Sequence, residues 1–176
     1  MSETGGNRRI DRIRRSDFVG GLDGLSLEEL RQRRDECLAE REYLSLLRRL
    51  VQGRAEILIA EVERRGSSSE QAPLVERLSS ILASETQGPS RGEAVKVGLP
   101  EEESQLARRR VERLVADAGI SDPGALDDAR LAAAVDVLAG EEHEVSEARA
   151  AVIDVLDKLQ EELKRRYKDD PSLVLT

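Results

Sequence analysis

The sequence predicts an all-α protein: an antiparallel two-helix coiled coil, in effect a helical hairpin, with a short helical insertion between the long helices. Three observations carry that expectation. Apolar residues recur every seven positions in two separate stretches: Leu30, Cys37, Leu44, Val51 and Leu58, then Leu131, Leu138, Val145, Val152 and Leu159. Aromatic residues are 2 % and charged residues 36 % of the 176 residues, a composition that fills a narrow helix–helix seam but not a wide globular core. The two stretches also align with each other at one constant offset of 101 residues.

The first long helix, 26–66, has marked ends. Ser26-Leu27-Glu28-Glu29 is a capping box, in which the serine side chain takes the third amide and Glu29 reaches back. Leu25 and Leu30 stand where a hydrophobic staple would sit. Arg64-Arg65-Gly66 places cations at the negative end of the helix, followed by a glycine able to form a left-handed cap. The second long helix, 122–168, is expected to start at Asp122-Pro123 and must stop before Pro171. Gly140 lies inside it without shifting the apolar phase, so the helix should run through. Residues 1–25 read as a basic disordered arm, with Arg8, Arg9, Arg12, Arg14 and Arg15 against Asp11, and residues 169–176 as a tail. In the insertion, 67–121, Ser67-Ser68-Ser69 is a loop. Ala72 to Glu85 is a candidate short amphipathic helix, and Gln87 to Gly98 a linker. A further helix starts at Pro100-Glu101-Glu102-Glu103 and leads to Gly119.

The residues four beyond each apolar row turn polar in the middle, where a seam should be driest. They read Leu27, Arg34, Arg41, Arg48, Ala55 and Val62 in one helix, and Val135, Glu142, Arg149, Leu156 and Leu163 in the other. Under the 101-residue offset, Ser45 matches Ser146 and Arg48 matches Arg149, so each helix carries a Ser-x-x-Arg on one face. Glu61, Arg64 and Arg65 likewise match Glu162, Arg165 and Arg166. Antiparallel pairing with flush ends puts Leu27 near Leu163, Arg48 near Glu142 and Arg41 near Arg149. Both Ser-x-x-Arg motifs then stand at mid-rod. Two facing arginines there call for an anion, and planar guanidinium groups suit phosphate or the acceptor edge of guanine. The competing reading is that polar seam residues only fix register, with Arg48 and Glu142 as a plain salt bridge.

At these residues the chain resembles the RsiG family of actinobacterial anti-sigma factors, which use cyclic di-GMP to hold the sporulation sigma factor WhiG. That family carries Glu-x3-Ser-x2-Arg-x3-Gln/Asp on each of two antiparallel helices. Here Glu142, Ser146 and Arg149 match in the second helix, while Ile153 takes the fourth position with Asp154 one residue late. In the first helix Ser45, Arg48 and Gln52 match, and Arg41, flanked by Glu40 and Glu42, stands where glutamate belongs. The resemblance implies two cyclic di-GMP molecules on the coil. It gives Arg48 and Arg149 phosphates or guanine edges, Ser45 and Ser146 short bonds, and Gln52 and Asp154 the guanine donors. It also implies a WhiG-type sigma factor as the protein partner.

Other classes find less support. A net charge of −8 argues against direct DNA binding, which rests on neutralising phosphates. No phosphate-binding glycine loop or nucleophile arrangement suggests an enzyme. His143 has no second metal ligand at useful spacing, so no metal is expected. Cys37, on the apolar row, reads as a core residue. A hairpin that inserts its tip into RNA polymerase would need a tight acidic tip, which the insertion replaces. A ligand-free coiled-coil adaptor is the principal rival. With one cysteine and no apolar signal or membrane-spanning run, the expected location is the cytoplasm.

Overall fold

A computed structural model describes residues 8–66 and 98–174. Its regular elements are helical. Helix α1 is Arg9–Ile13, α2 is Leu27–Gly66, α3 is Glu101–Asp117 and α4 is Asp128–Asp169, with 3-10 turns at Ser16–Phe18, Leu22–Gly24, Pro123–Ala125 and Pro171–Val174. The candidate helix Ala72 to Glu85, the Ser67–Ser69 loop and nearly all of the Gln87–Gly98 linker lie outside the described residues.

The long helices α2 and α4 pack antiparallel on the two predicted apolar rows, and all ten residues of those rows are buried. The chain divides into two compact units. The first combines residues 8–45 with 145–174, so it holds α1, the start of α2 and the end of α4. Its core joins Leu30, Cys37 and Leu44 to Val145, Val152, Leu156, Leu159 and Leu163, with Ile13 and Phe18 from the chain preceding α2. The second unit, 46–66 with 98–144, holds the end of α2, α3 and the start of α4. There Leu47, Val51 and Leu58 meet Leu131, Ala134 and Leu138, with Ala107, Val111 and Val115 from α3.

Each unit thus has a third element beside the two long helices; in α4 Leu156 and Leu163 of the expected second row are buried, and in α2 the expected row is corrected. In α2 the more buried companions of the apolar row are Glu40, Leu47 and Glu61, which precede each apolar residue by four or follow it by three. Arg34, Arg41 and Arg48 are only half-buried. The third elements make the difference, because they lie over that other flank and supply cations to it. Arg9 Nε donates to Glu40 Oε2 at 2.6 Å in the first unit, and Arg110 pairs with Glu141 at 2.8 Å in the second.

The disordered arm expected for residues 1–25 is likewise corrected from residue 8 onward. Those residues fold because Ile13 and Phe18 bury apolar surface, and because their arginines find carboxylates on α2: Arg9 at Glu40, and Arg12 at Glu36 at 3.0 Å.

Local signals explain most helix ends. The Ser26 capping box forms in both directions, with the Glu29 amide donating to Ser26 Oγ at 3.2 Å and the Ser26 amide to Glu29 Oε2 at 2.7 Å. Gly66 closes α2 from within the helix and is not left-handed. Helix α3 starts after Pro100 and ends in a Schellman motif. Gly119, at φ +66°, donates to Ala116 O, and the Ile120 amide returns to Val115 O at 2.9 Å. Helix α4 begins at Asp128, six residues later than expected. Asp122 does accept an amide, that of Gly124 at 3.0 Å, but what it caps is a single 3-10 turn. The cap of α4 is Asp127, whose Oδ1 accepts from the Arg130 amide at 2.8 Å. Gly140 lies within an unbroken helix.

The 101-residue duplication extends beyond the helices. The last turn of α2 carries Glu61, Arg64 and Arg65. Both arginines bond the Glu61 carboxylate, and Arg65 also donates to the carbonyls of Pro123, Gly124 and Leu126 in the turn before α4. At the matching place in α4, Arg165 and Arg166 bond Glu162, and Arg166 donates to the carbonyls of Leu22, Asp23 and Leu25 before α2. Every member of one latch stands 101 residues from its counterpart. The Arg64 hydrogen bond, helped by Arg65, pulls the Glu61 carboxyl down to about 2 against the opposing effect of desolvation. Glu162 is lowered by Arg165 and Arg166 in the same way.

Candidate functional site

The polar residues singled out in the sequence occupy two clusters, one in each unit. In the second unit Arg48 and Gln52, one helical turn apart on α2, converge on Glu142 of α4. Arg48 Nε donates to Glu142 Oε1 at 2.6 Å, and Gln52 Nε2 donates to the same oxygen at 3.1 Å. The pair is only partly withdrawn from water, with side-chain exposures of 41 % for Arg48 and 26 % for Glu142. The arginine is held at its Nε edge, so a guanidinium of five donors has capacity for further acceptors. The expected approach of Arg48 to Glu142 is therefore present.

In the first unit the centre is a hydroxyl. Ser45 Oγ donates to the Arg41 carbonyl at 2.7 Å, one turn back along α2, and accepts from Arg149 Nε at 2.9 Å. Arg149 thus meets α2 at Ser45. The Arg41 guanidinium turns to its neighbour Glu42, at 2.9 Å. Ser146 is half-buried on α4, one turn before Arg149. Asp154 is exposed and joins neither cluster. Five residues turn an α-helix by about 140° beyond a full circle, so Asp154 cannot share the face of Arg149. Ile153, four residues on, occupies that face instead.

The clusters differ in charge by one substitution. Under the 101-residue offset Arg41 corresponds to Glu142. The second-unit cluster therefore pairs one arginine with one carboxylate and an amide. The first brings Arg149 to the hydroxyl of Ser45, which is anchored on the backbone of Arg41. Sequence reasoning marked Ser45 and Arg149 as separate contributors and missed their bond, which the flush pairing of Arg41 with Arg149 obscured.

Cys37 and Tyr167 lie outside both clusters. Burial raises the Cys37 thiol to about 12, with Glu36 and Glu40 adding to the shift, so it stays protonated and inert. Tyr167 accepts from Arg31 Nε at 3.0 Å and lies beneath that guanidinium, which serves packing near the tail. Among the described residues no group of three or more His, Cys, Asp or Glu side chains is placed to hold a metal, and no helix is long and apolar enough to cross a membrane.

Two antiparallel long helices carrying half-buried Ser/Arg/Glu clusters define an all-helical hairpin protein. The model of the RsiG-like family matches residues 17–82, and over that stretch the chain is similar to the family. The matched stretch takes in all of α2, and with it Arg41, Ser45, Arg48 and Gln52. Glu142, Ser146, Arg149 and Asp154 fall beyond it. No curated protein matches the chain.

Proposed function

We propose that this protein is an anti-sigma factor that binds two molecules of cyclic di-GMP on its coiled coil. Loaded in this way, it sequesters a WhiG-type sporulation sigma factor in the cytoplasm and blocks the transcription that the sigma factor directs. The single observation that carries the reading is the pair of duplicated clusters, Arg48–Gln52–Glu142 and Ser45–Arg149, on helices whose first member is RsiG-like. Their chemistry suits the ligand. Guanidinium groups bind phosphodiester oxygens or the O6/N7 edge of guanine, and a carboxylate such as Glu142 accepts from the N1 and N2 donors that adenine lacks. Ser146 supplies a hydroxyl beside Arg149, and the exposed Asp154 contributes least. The protein acts by binding, not by catalysis. Nucleotide strengthens the sigma complex because a ligand contacted by both proteins stabilises their association.

One observation favours a ligand-free adaptor instead: Arg48 and Arg149 already have hydrogen-bond partners within the chain. Calorimetric titration with cyclic di-GMP, and with GTP as control, separates the readings. Saturable binding near two molecules per chain, lost in Arg48→Ala or Arg149→Ala and enhanced by the sigma factor, is the expected outcome. Absence of heat with either nucleotide, with or without the sigma factor, would leave the adaptor.

A further inference from the structure

Beyond the nucleotide clusters, the structure carries information on where the protein partner docks. Arg48, Gln52, Ala55, Ile59 and Val62 follow one another at spacings of three and four along α2, so they share one face. That face begins with the two donors that hold Glu142 and ends in bare hydrocarbon. Ile59 and Val62 are 43 % and 44 % exposed. Single apolar residues on a surface are ordinary. Here, however, two successive members of one face are bare, and the duplicated half of the molecule treats the same positions differently. In the first unit the counterpart of Ile59 is Gln160, and the counterpart of Val62 is Leu163, only 3 % exposed. Among the described residues every exposed large apolar side chain, Ile59, Val62, Leu106 and Val137, belongs to the second unit.

The border of the strip specifies what fits it. Glu56 and Glu63, each one residue beyond Ala55 and Val62, are exposed and acidic. An apolar stripe with carboxylates along one edge matches an amphipathic helix that carries Lys or Arg along one edge of its apolar face. We infer that the Ala55–Ile59–Val62 face of α2 is the docking strip for such a basic-edged amphipathic helix of the protein partner. It continues the face that carries Arg48 and Gln52, so one partner surface reaches both nucleotide and strip. This assignment rests on the anti-sigma reading above.

The test uses the full chain with Ile59→Lys and Val62→Lys combined, and Gln160→Lys as the matched control in the other unit. Each is measured for cyclic di-GMP titration, thermal melting, sedimentation and capture of a WhiG-type sigma factor with nucleotide present. The expected result is unchanged nucleotide binding and melting in the double variant, with sigma affinity reduced about tenfold or more, while the control binds as the native chain does. Undiminished sigma capture by the double variant would overturn the strip and leave the anti-sigma reading standing. A marked fall in melting temperature would overturn it by showing that the chain covers the face itself. Conversion of a native dimer to monomer would overturn it in favour of a second copy. Failure of the native chain to capture any sigma factor, with or without nucleotide, would remove the anti-sigma reading and the strip together.

Discussion

The two units of this molecule are assembled from the same parts list and diverge in the middle of their long helices. In each, a glutamate of the long helix is gripped by an arginine of the third element: Glu40 by Arg9 in the first, Glu141 by Arg110 in the second. In each, an arginine at the far end of a long helix collects three carbonyls from the turn that launches the opposite helix. The contacts that hold the helices have stayed alike. Those at Arg41, Ser45 and Arg149 on one side, and Arg48, Gln52 and Glu142 on the other, have not. Positions constrained by packing keep their chemistry in both copies. At mid-helix the copies part where Arg41 stands against Glu142 and Gln52 against Ile153.

The comparison can be broken most sharply in the core. Leu30 and Leu131 are counterparts, both essentially inaccessible. Leu30→Ala and Leu131→Ala should each cost about 2–5 kcal/mol in denaturant unfolding. Values differing by more than about 2 kcal/mol would show that the two units are not equivalent scaffolds.

The latches come next. Arg65→Ala and Arg166→Ala each strand three carbonyls and remove a cation from a buried carboxylate, at an expected cost of about 1–3 kcal/mol, similar for the two. Acid offers a second view of the same contact. The Glu61 carboxyl sits at about 2, below its ordinary value of 4.5, so its contribution is fully present above pH 4.5 and is lost as pH falls toward 2. Glu61→Gln should flatten the acid limb of a stability–pH curve over that window. An unchanged limb would mean that the arginines do not stabilise the ionised form.

The smallest effect expected is at the helix starts. Ser26 and Asp127 are also 101 residues apart, and each caps its helix with a side-chain oxygen. Ser26→Ala and Asp127→Ala should each lower the melting temperature, by about 1 kcal/mol in stability. A loss confined to one of them would show that only one long helix depends on its cap.

Much of this architecture was legible in the sequence, because the information is periodic and local. The apolar rows name their own burial, and the Ser26–Glu29 box names its own hydrogen bonds. What escaped depends on distant residues. The basic arm reads as solvated until Glu36 and Glu40, far along the chain, are known to face it. The start of α4 was misplaced by a persuasive local signal, Asp122-Pro123, although the repeat itself held the answer: Ser26 projected by the offset falls on Asp127. At the candidate site, Arg48 with Glu142 followed from antiparallel pairing. The Ser45–Arg149 bond needed a shift along the helix that apolar spacing alone does not fix. Asp154, one residue past the fourth motif position, is turned off the face of Arg149 by the rotation of the helix.

The way the units draw on the chain also sets an order of assembly. The second unit is drawn from within the span 46–144, so all of it has been synthesised before Val145 is added. The first must join 8–45 to 145–174. Until then Leu30, Cys37 and Leu44 lack the residues they are buried against, and the carbonyls of Leu22, Asp23 and Leu25 await Arg166. Long-range closure of this kind is slow and leaves apolar surface open to other chains meanwhile. The half of the molecule that contains Ser45 and Arg149 therefore closes only after every residue of the other half has been synthesised.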